Sequence, residues 1–186
     1  MPAMPVDLVC HPDTPCRAVT RITASVERAG QDMLAFRYRA EGDMSRVAIP
    51  PVARSEFRDE LWKHTCFEAF LKPPAGSAYC EFNFSPSTEF AGYGFTGYRD
   101  GMKGTYCSRP FPKVQVAADC LEVSVEFWTG RLGHIDASGL LLANLTAVIE
   151  ETDGAKSYWA LAHPPGKPDF HHPDGFVLPL PTVESA

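Results

Sequence analysis

The chain has 186 residues, 45% of them hydrophobic and 22% charged, with a formal net charge of −6 at pH 7. That length suits one domain with a sizeable core and is small for two, so residues 1–186 are read as a single domain. The acidic balance, with no basic run to offset it, argues against nucleic acid or an anionic membrane surface as a partner.

Residues 1–9 lack a cationic start followed by a long apolar segment, so no secretory signal is expected. No apolar run approaches the ~20 residues that cross a bilayer. Cys10, Cys16, Cys66, Cys80, Cys107 and Cys120 therefore read as reduced thiols of a cytoplasmic protein. The 14 glycines and 17 prolines predict frequent turns and few helices.

The first expected element is an extended edge strand over Val6–Cys10. Ala18, Thr20, Ile22, Ala24 and Val26 then alternate with polar residues, as do Leu34, Phe36 and Tyr38. With a turn at residues 28–31 between them, these two runs predict a hairpin with one wet face. A short strand over residues 46–49 stops at Pro50-Pro51, and the charged residues 53–60 are expected to form a helical turn over one end of the fold. Period-2 alternation resumes at residues 61–71 and again at residues 79–86, separated by a Pro-Pro-Ala-Gly-Ser break.

Residues 103–112 read as a loop, and residues 114–117 and 121–127 as a hairpin around Ala118-Asp119. After a polar connection over residues 130–139, the apolar run 140–149 is read as a strand. Its Leu141, Ala143, Leu145, Ala147 and Ile149 alternate with a face holding Asn144, Thr146 and Glu150. Thr152-Asp153-Gly154 is a tight hairpin turn, and residues 156–162 pair back. A Pro/His/Gly-rich loop over residues 163–175 and a last strand over 176–180 complete an all-β chain. About ten to twelve short strands with regular turns predict an antiparallel β-sandwich, immunoglobulin-like or jelly-roll-like.

The strand phase of the central stretch makes the functional prediction. If Phe67, Leu71, Phe82 and Phe84 point into the core, then Trp62, His64, Glu68, Glu81 and Asn83 project together from the other side of one sheet. A flat aromatic for the apolar face of a pyranose, beside planar amide and carboxyl groups for its hydroxyls, is what sugar binding requires. Tyr79, Tyr98 and Arg99 lie close in sequence, Trp159 offers a second platform, and the loop beginning at His163 would cover the site. The opposing reading buries Trp62 and Trp159 as caps of the core and leaves Glu68 and Glu81 beside cationic partners in solvent. Nucleophile-elbow, phosphate-loop, HExxH and dinucleotide signatures are absent, so no catalytic residue is assigned.

The order Leu61-Trp62…His64-Thr65-Cys66-Phe67-Glu68, then Glu81-Phe82-Asn83-Phe84-Ser85-Pro86, then Gly97-Tyr98-Arg99-Asp100-Gly101-Met102 resembles the DOMON-like family, itself related to family-9 carbohydrate-binding modules. The likeness extends to Ser157-Tyr158-Trp159-Ala160-Leu161 and to the loop Pro168-Asp169-Phe170-His171-His172-Pro173. It implies a β-sandwich whose relatives bind sugars or haem. The expectation is a noncatalytic module for a saccharide or sugar-containing metabolite, held by Trp62, His64, Glu68, Glu81, Asn83, Tyr98, Arg99, Trp159 and His163, with no cofactor. Two rivals stay open. One is a carrier of haem, with Met102 and either His64 or His163 as axial ligands, or of a divalent metal at His163, His171, His172, Asp169 and Asp174. The other is a protein-interaction or structural domain.

Overall fold

The computed structural model describes residues 3–30, 32–104, 110–129, 132 and 135–182. Cys107, half of the expected 103–112 loop and part of the 130–139 connection lie outside them. Among the described residues there are twelve strands: β1 (Val6–Cys10), β2 (Val19–Gly30), β3 (Met33–Gly42), β4 (Cys66–Lys72), β5 (Tyr79–Phe84), β6 (Phe90–Phe95), β7 (Lys103–Gly104), β8 (Lys113–Val116), β9 (Cys120–Trp128), β10 (Leu141–Glu150), β11 (Lys156–Ala160) and β12 (Leu178–Leu180). All pair antiparallel, in the order β7-β6-β5-β4-β10-β11-β1-β2-β3-β9-β8, with β12 added beside β10.

This continuous sheet folds back on itself at β1. Val6–Leu8 pair with β2, whereas Val9 and Cys10 pair with β11. The front layer is β2, β3, β9 and β8, and the back layer runs from β11 through β10 and β4 to β7. The result is the expected antiparallel β-sandwich. Between the layers lie Ile22, Leu34, Phe36, Val123 and Phe127 from the front and Phe67, Leu71, Phe82, Phe84, Leu141 and Leu145 from the back. Each large side chain sealed there contributes about 1.5–3 kcal/mol of transfer free energy. Phe36, Phe84, Phe82 and Phe127 form one aromatic cluster, with ring centroids 4.9–6.1 Å apart. Tyr38 crosses the core from β3 and donates its hydroxyl to the backbone oxygen of Glu68 at 2.7 Å, which fixes the two layers to each other.

Three expectations change. Residues 53–60 form no helical turn, because their backbone is taken up as an extended edge: Arg58 N donates to Phe90 O at 2.9 Å and Phe90 N to Glu56 O at 3.2 Å. The strand expected from Leu61 begins only at Cys66. Glu60 sits at φ +64, and Leu61–Lys63 form a 3-10 turn closed by His64 N donating to Leu61 O at 3.1 Å. The strand expected over residues 46–49 is reduced to the single bridge Val47↔Glu151, following a 3-10 turn at Met44–Arg46 that Asp43 caps through Ser45 N.

The back layer has a second apolar face. Cys66 and Phe70 of β4, Tyr79 of β5, Ala91, Tyr93 and Phe95 of β6, Val148 of β10 and Ala160 of β11 point away from the core and are nevertheless buried. Leu61 of the 3-10 turn covers part of that face, and Phe170 and Phe176 of the loop before β12 cover the rest. A sheet buried on both sides reads as continuous rather than alternating burial, as every residue of β5 and β6 shows.

Candidate functional site

The alternation that sends Phe67, Ala69, Leu71, Phe82 and Phe84 inward sends Glu68 on β4 and Glu81 and Asn83 on β5 outward together. Register places Glu68 opposite Asn83 and Phe70 opposite Glu81, so the two acids are diagonal neighbours, about 7 Å apart by strand geometry. They form the floor of a cavity of about 500 Å³ on the outer face of the back layer. The Leu61–Lys63 turn brings Trp62 and Lys63 to one side, and β11 adds Lys156 and Tyr158. Phe95, Arg99 and Met102 approach from β6 and the turn after it, and Pro168, Phe170 and His171 roof the opposite side.

The roof is tied down by specific bonds. Asp169 accepts from Arg99 Nη2 at 2.8 Å, from His171 N at 3.1 Å and from the Tyr98 hydroxyl. Asn144, buried on β10, donates to Phe170 O at 3.0 Å. Gly175 lies so close to Asn144 that a Cβ there would stand 2.5 Å from Nδ2. Arg99 adopts a left-handed backbone, φ +54, which non-glycine residues seldom do, and its N–H donates to the Tyr79 hydroxyl at 3.1 Å. That hydroxyl is also hydrogen-bonded to His171 Nδ1 at 2.8 Å. The other ring nitrogen, Nε2, faces Glu81 Oε2 at 3.8 Å. Burial pushes His171 down to about 4, so the ring is neutral at pH 7.

The floor is electrostatically unusual. Burial, and then the neighbouring Glu81 charge, raise Glu68 well above the usual carboxylate range. Burial pushes Glu81 up to about 7, opposed by a 2.8 Å hydrogen bond from Asn83 Nδ2 and by the Arg99 charge. Glu68 is only 2% exposed, and its Oε1 meets no hydrogen-bond partner among the described residues. Thr146, directly across on β10, is in the same position with its Oγ1. A buried polar atom without a partner costs about 1–3 kcal/mol, so this floor is built to be met by something.

The rim is different, because its cations are compensated. Arg99 pairs with Asp169, Lys63 with Glu60 at 2.7 Å, and Lys156 with Lys63 O and, at 3.9 Å, with Glu150.

Among the expected site residues, Trp62, Glu68, Glu81 and Arg99 line the cavity. Asn83 lies beneath it and holds Glu81, and Tyr98 stands outside, holding Asp169. The other three are elsewhere. Trp159 faces the core between the layers, 5% exposed, with Nε1 donating to Ser157 Oγ at 3.0 Å, because β11 presents Tyr158 to the cavity in its place. His64 precedes the start of β4 and pairs in solvent with Glu150 at 2.7 Å. His163 bonds Val9 O at 2.8 Å and packs edge-on against His11 beside a separate hollow. Met102 is thus at the cavity, while both histidines considered with it are outside.

His171 points into the cavity and His172 away from it, toward Tyr98 and Asp174. No group of three or more His, Cys, Asp or Glu placed to hold a metal ion occurs among the described residues. Sequence reasoning missed Tyr158, Lys156, Phe95 and Phe170. The first two were accessible from the phase of Lys156-Ser157-Tyr158-Trp159, had Ser157 been taken as inward.

No family model matches the chain, and no curated protein matches it in sequence. Solved structures do match it in three dimensions. A protein from Bacteroides uniformis, provisionally described as carbohydrate-binding, superposes with a TM-score of 0.70 over 95% of this chain and 85% of its own, at 14% identity. A family 9 carbohydrate-binding module from Caldicellulosiruptor kristjanssonii, in complex with glucose, superposes with a TM-score of 0.51 over 91% and 81%, at 10% identity. The chain shares their β-sandwich fold. At such identities the likeness establishes the architecture, and the site must be argued from its own residues.

Proposed function

We propose that this chain is a noncatalytic binding module whose outer-face cavity takes a saccharide or sugar-containing metabolite. The observation that carries the reading is the floor: a buried carboxyl with an unpartnered oxygen beside a second carboxyl, open to a cavity walled by Trp62, Tyr158 and Phe170. A space of about 500 Å³ is of the size that holds a small ligand. Its aromatic walls offer apolar contact to a pyranose ring, and its floor offers hydrogen bonds to hydroxyls. The two acids rise side by side from adjacent strands.

The glucose-bound module of the same fold supports the choice of ligand class. The DOMON-like motifs, the cytoplasmic location and the absence of a cofactor belong to the same reading. Calorimetric titration with mono- and disaccharides tests it, with Trp62→Ala as the control. Binding that weakens about 10-fold or more in the variant is expected, since an aromatic platform contributes on the order of 1–2 kcal/mol. No heat with any saccharide, or equal binding by the variant, overturns it.

A further inference from the structure

The charges at the two ends of the cavity do not match. Every cation at the rim has an anionic or carbonyl partner, as Arg99 has in Asp169 and Lys63 in Glu60. Among the described residues no lysine or arginine pairs with Glu68 or Glu81, and the nearest basic group, His171 Nε2, is 3.8 Å from Glu81 and neutral. The ionisable groups facing Glu81 are Glu68 and Cys66 from β4, Tyr79 from its own strand, Tyr93 from β6, His171 from the roof, Arg99 from the turn after β6 and Asp59 from the extended edge, so Arg99 is the one permanent cation among them. Aromatic rings surround this floor, and a ring face attracts positive charge.

We propose that the ligand carries a protonated amine, set against the carboxyl floor between Glu68 and Glu81, so that the preferred saccharide is an amino sugar rather than a neutral one. This rests on the reading of the cavity as a saccharide site. The ammonium supplies the donor that Glu68 Oε1 lacks and a cation in direct contact with Glu81, which Arg99 influences only from a distance, while hydroxyls on the far side of the ring reach the rim. Because Glu81 holds a proton in part at neutral pH, the arriving cation expels it, and binding releases protons to the buffer.

Glucosamine, glucose and N-acetylglucosamine are titrated into the wild-type protein at about pH 6.5, where an amine of this kind is charged. Each titration is repeated in buffers of different ionisation enthalpy. Glucosamine is expected to bind about 10-fold or more tighter than either neutral sugar, with release of up to about one proton. Glu81→Gln, which preserves an acceptor for Asn83, should reduce that preference at least several-fold and diminish the buffer dependence to the share that Glu68 supplies. Neutral sugars binding as tightly as glucosamine, or an enthalpy independent of buffer, overturn the amine assignment while leaving the saccharide site standing. Failure of all three sugars to bind overturns both. The wild-type comparison decides the matter even if the variant does not fold.

Discussion

Replacing Glu81 by Gln should stabilise the unliganded protein, increasingly so as pH rises from about 4.5 to about 7. Glu81 ionises at about 7 in the folded chain and near 4.5 when unfolded. Below about pH 4.5 both states hold the proton and the group has no effect. As pH rises from there, the unfolded chain releases its proton first, while the folded chain must keep it or ionise a buried carboxyl. Stability is therefore lost up to about pH 7, by about 3 kcal/mol in total. Glu68, raised by the same burial, acts in the same direction.

His171 opposes both. Depressed to about 4, it gives stability that is present above pH 6.5 and lost as pH falls toward 4, so the wild-type profile alone mixes the two effects. The difference between Glu81→Gln and wild type removes His171 from the comparison. Urea unfolding at pH 4.5, 6, 7 and 8 should show a difference that grows by about 3 kcal/mol in favour of the variant across that range. A difference that is constant, or that shrinks with pH, refutes the claim that the floor acid is buried without a directly paired cation.

Three further substitutions test the supports of the site. Gly175→Ala places a methyl against Asn144 Nδ2; it should cost about 1–3 kcal/mol and weaken ligand binding by shifting Phe170 and His171, as thermal melts and titration would show. Tyr38→Phe removes the bond across the layers to Glu68 O, and denaturant unfolding should register a loss of about 1 kcal/mol. Gly42→Ala would set a Cβ 2.1 Å from Ala18 O, a backbone clash, and should lower the melting temperature more than either.

Period-2 patterning located both hairpins of the front layer and the phase of β4, β5 and β10, because a strand with one wet face, or with acids interrupting an apolar face, writes its orientation into the chain. Glu68, Glu81 and Asn83 were legible for that reason. Trp62 reached the cavity by a different route, a 3-10 turn following the left-handed Glu60, which alternation cannot foresee. Trp159 was misplaced because β11 is short and both its faces are apolar, so tryptophan and tyrosine compete for the same assignment and Ser157 is the only inward polar marker. Phe170 and His171 come from a loop whose position depends on Asn144 bonding Phe170 O and on Arg99 pairing with Asp169, contacts between residues far apart in sequence.

The most direct test of the account is amide and indole chemical-shift mapping during titration with glucosamine. Shifts are expected to concentrate at the Trp62 indole N–H, at Glu68 and Glu81, and in residues 168–171. Shifts confined to the hollow near His163, or spread evenly with the Trp62 indole unmoved, would contradict it.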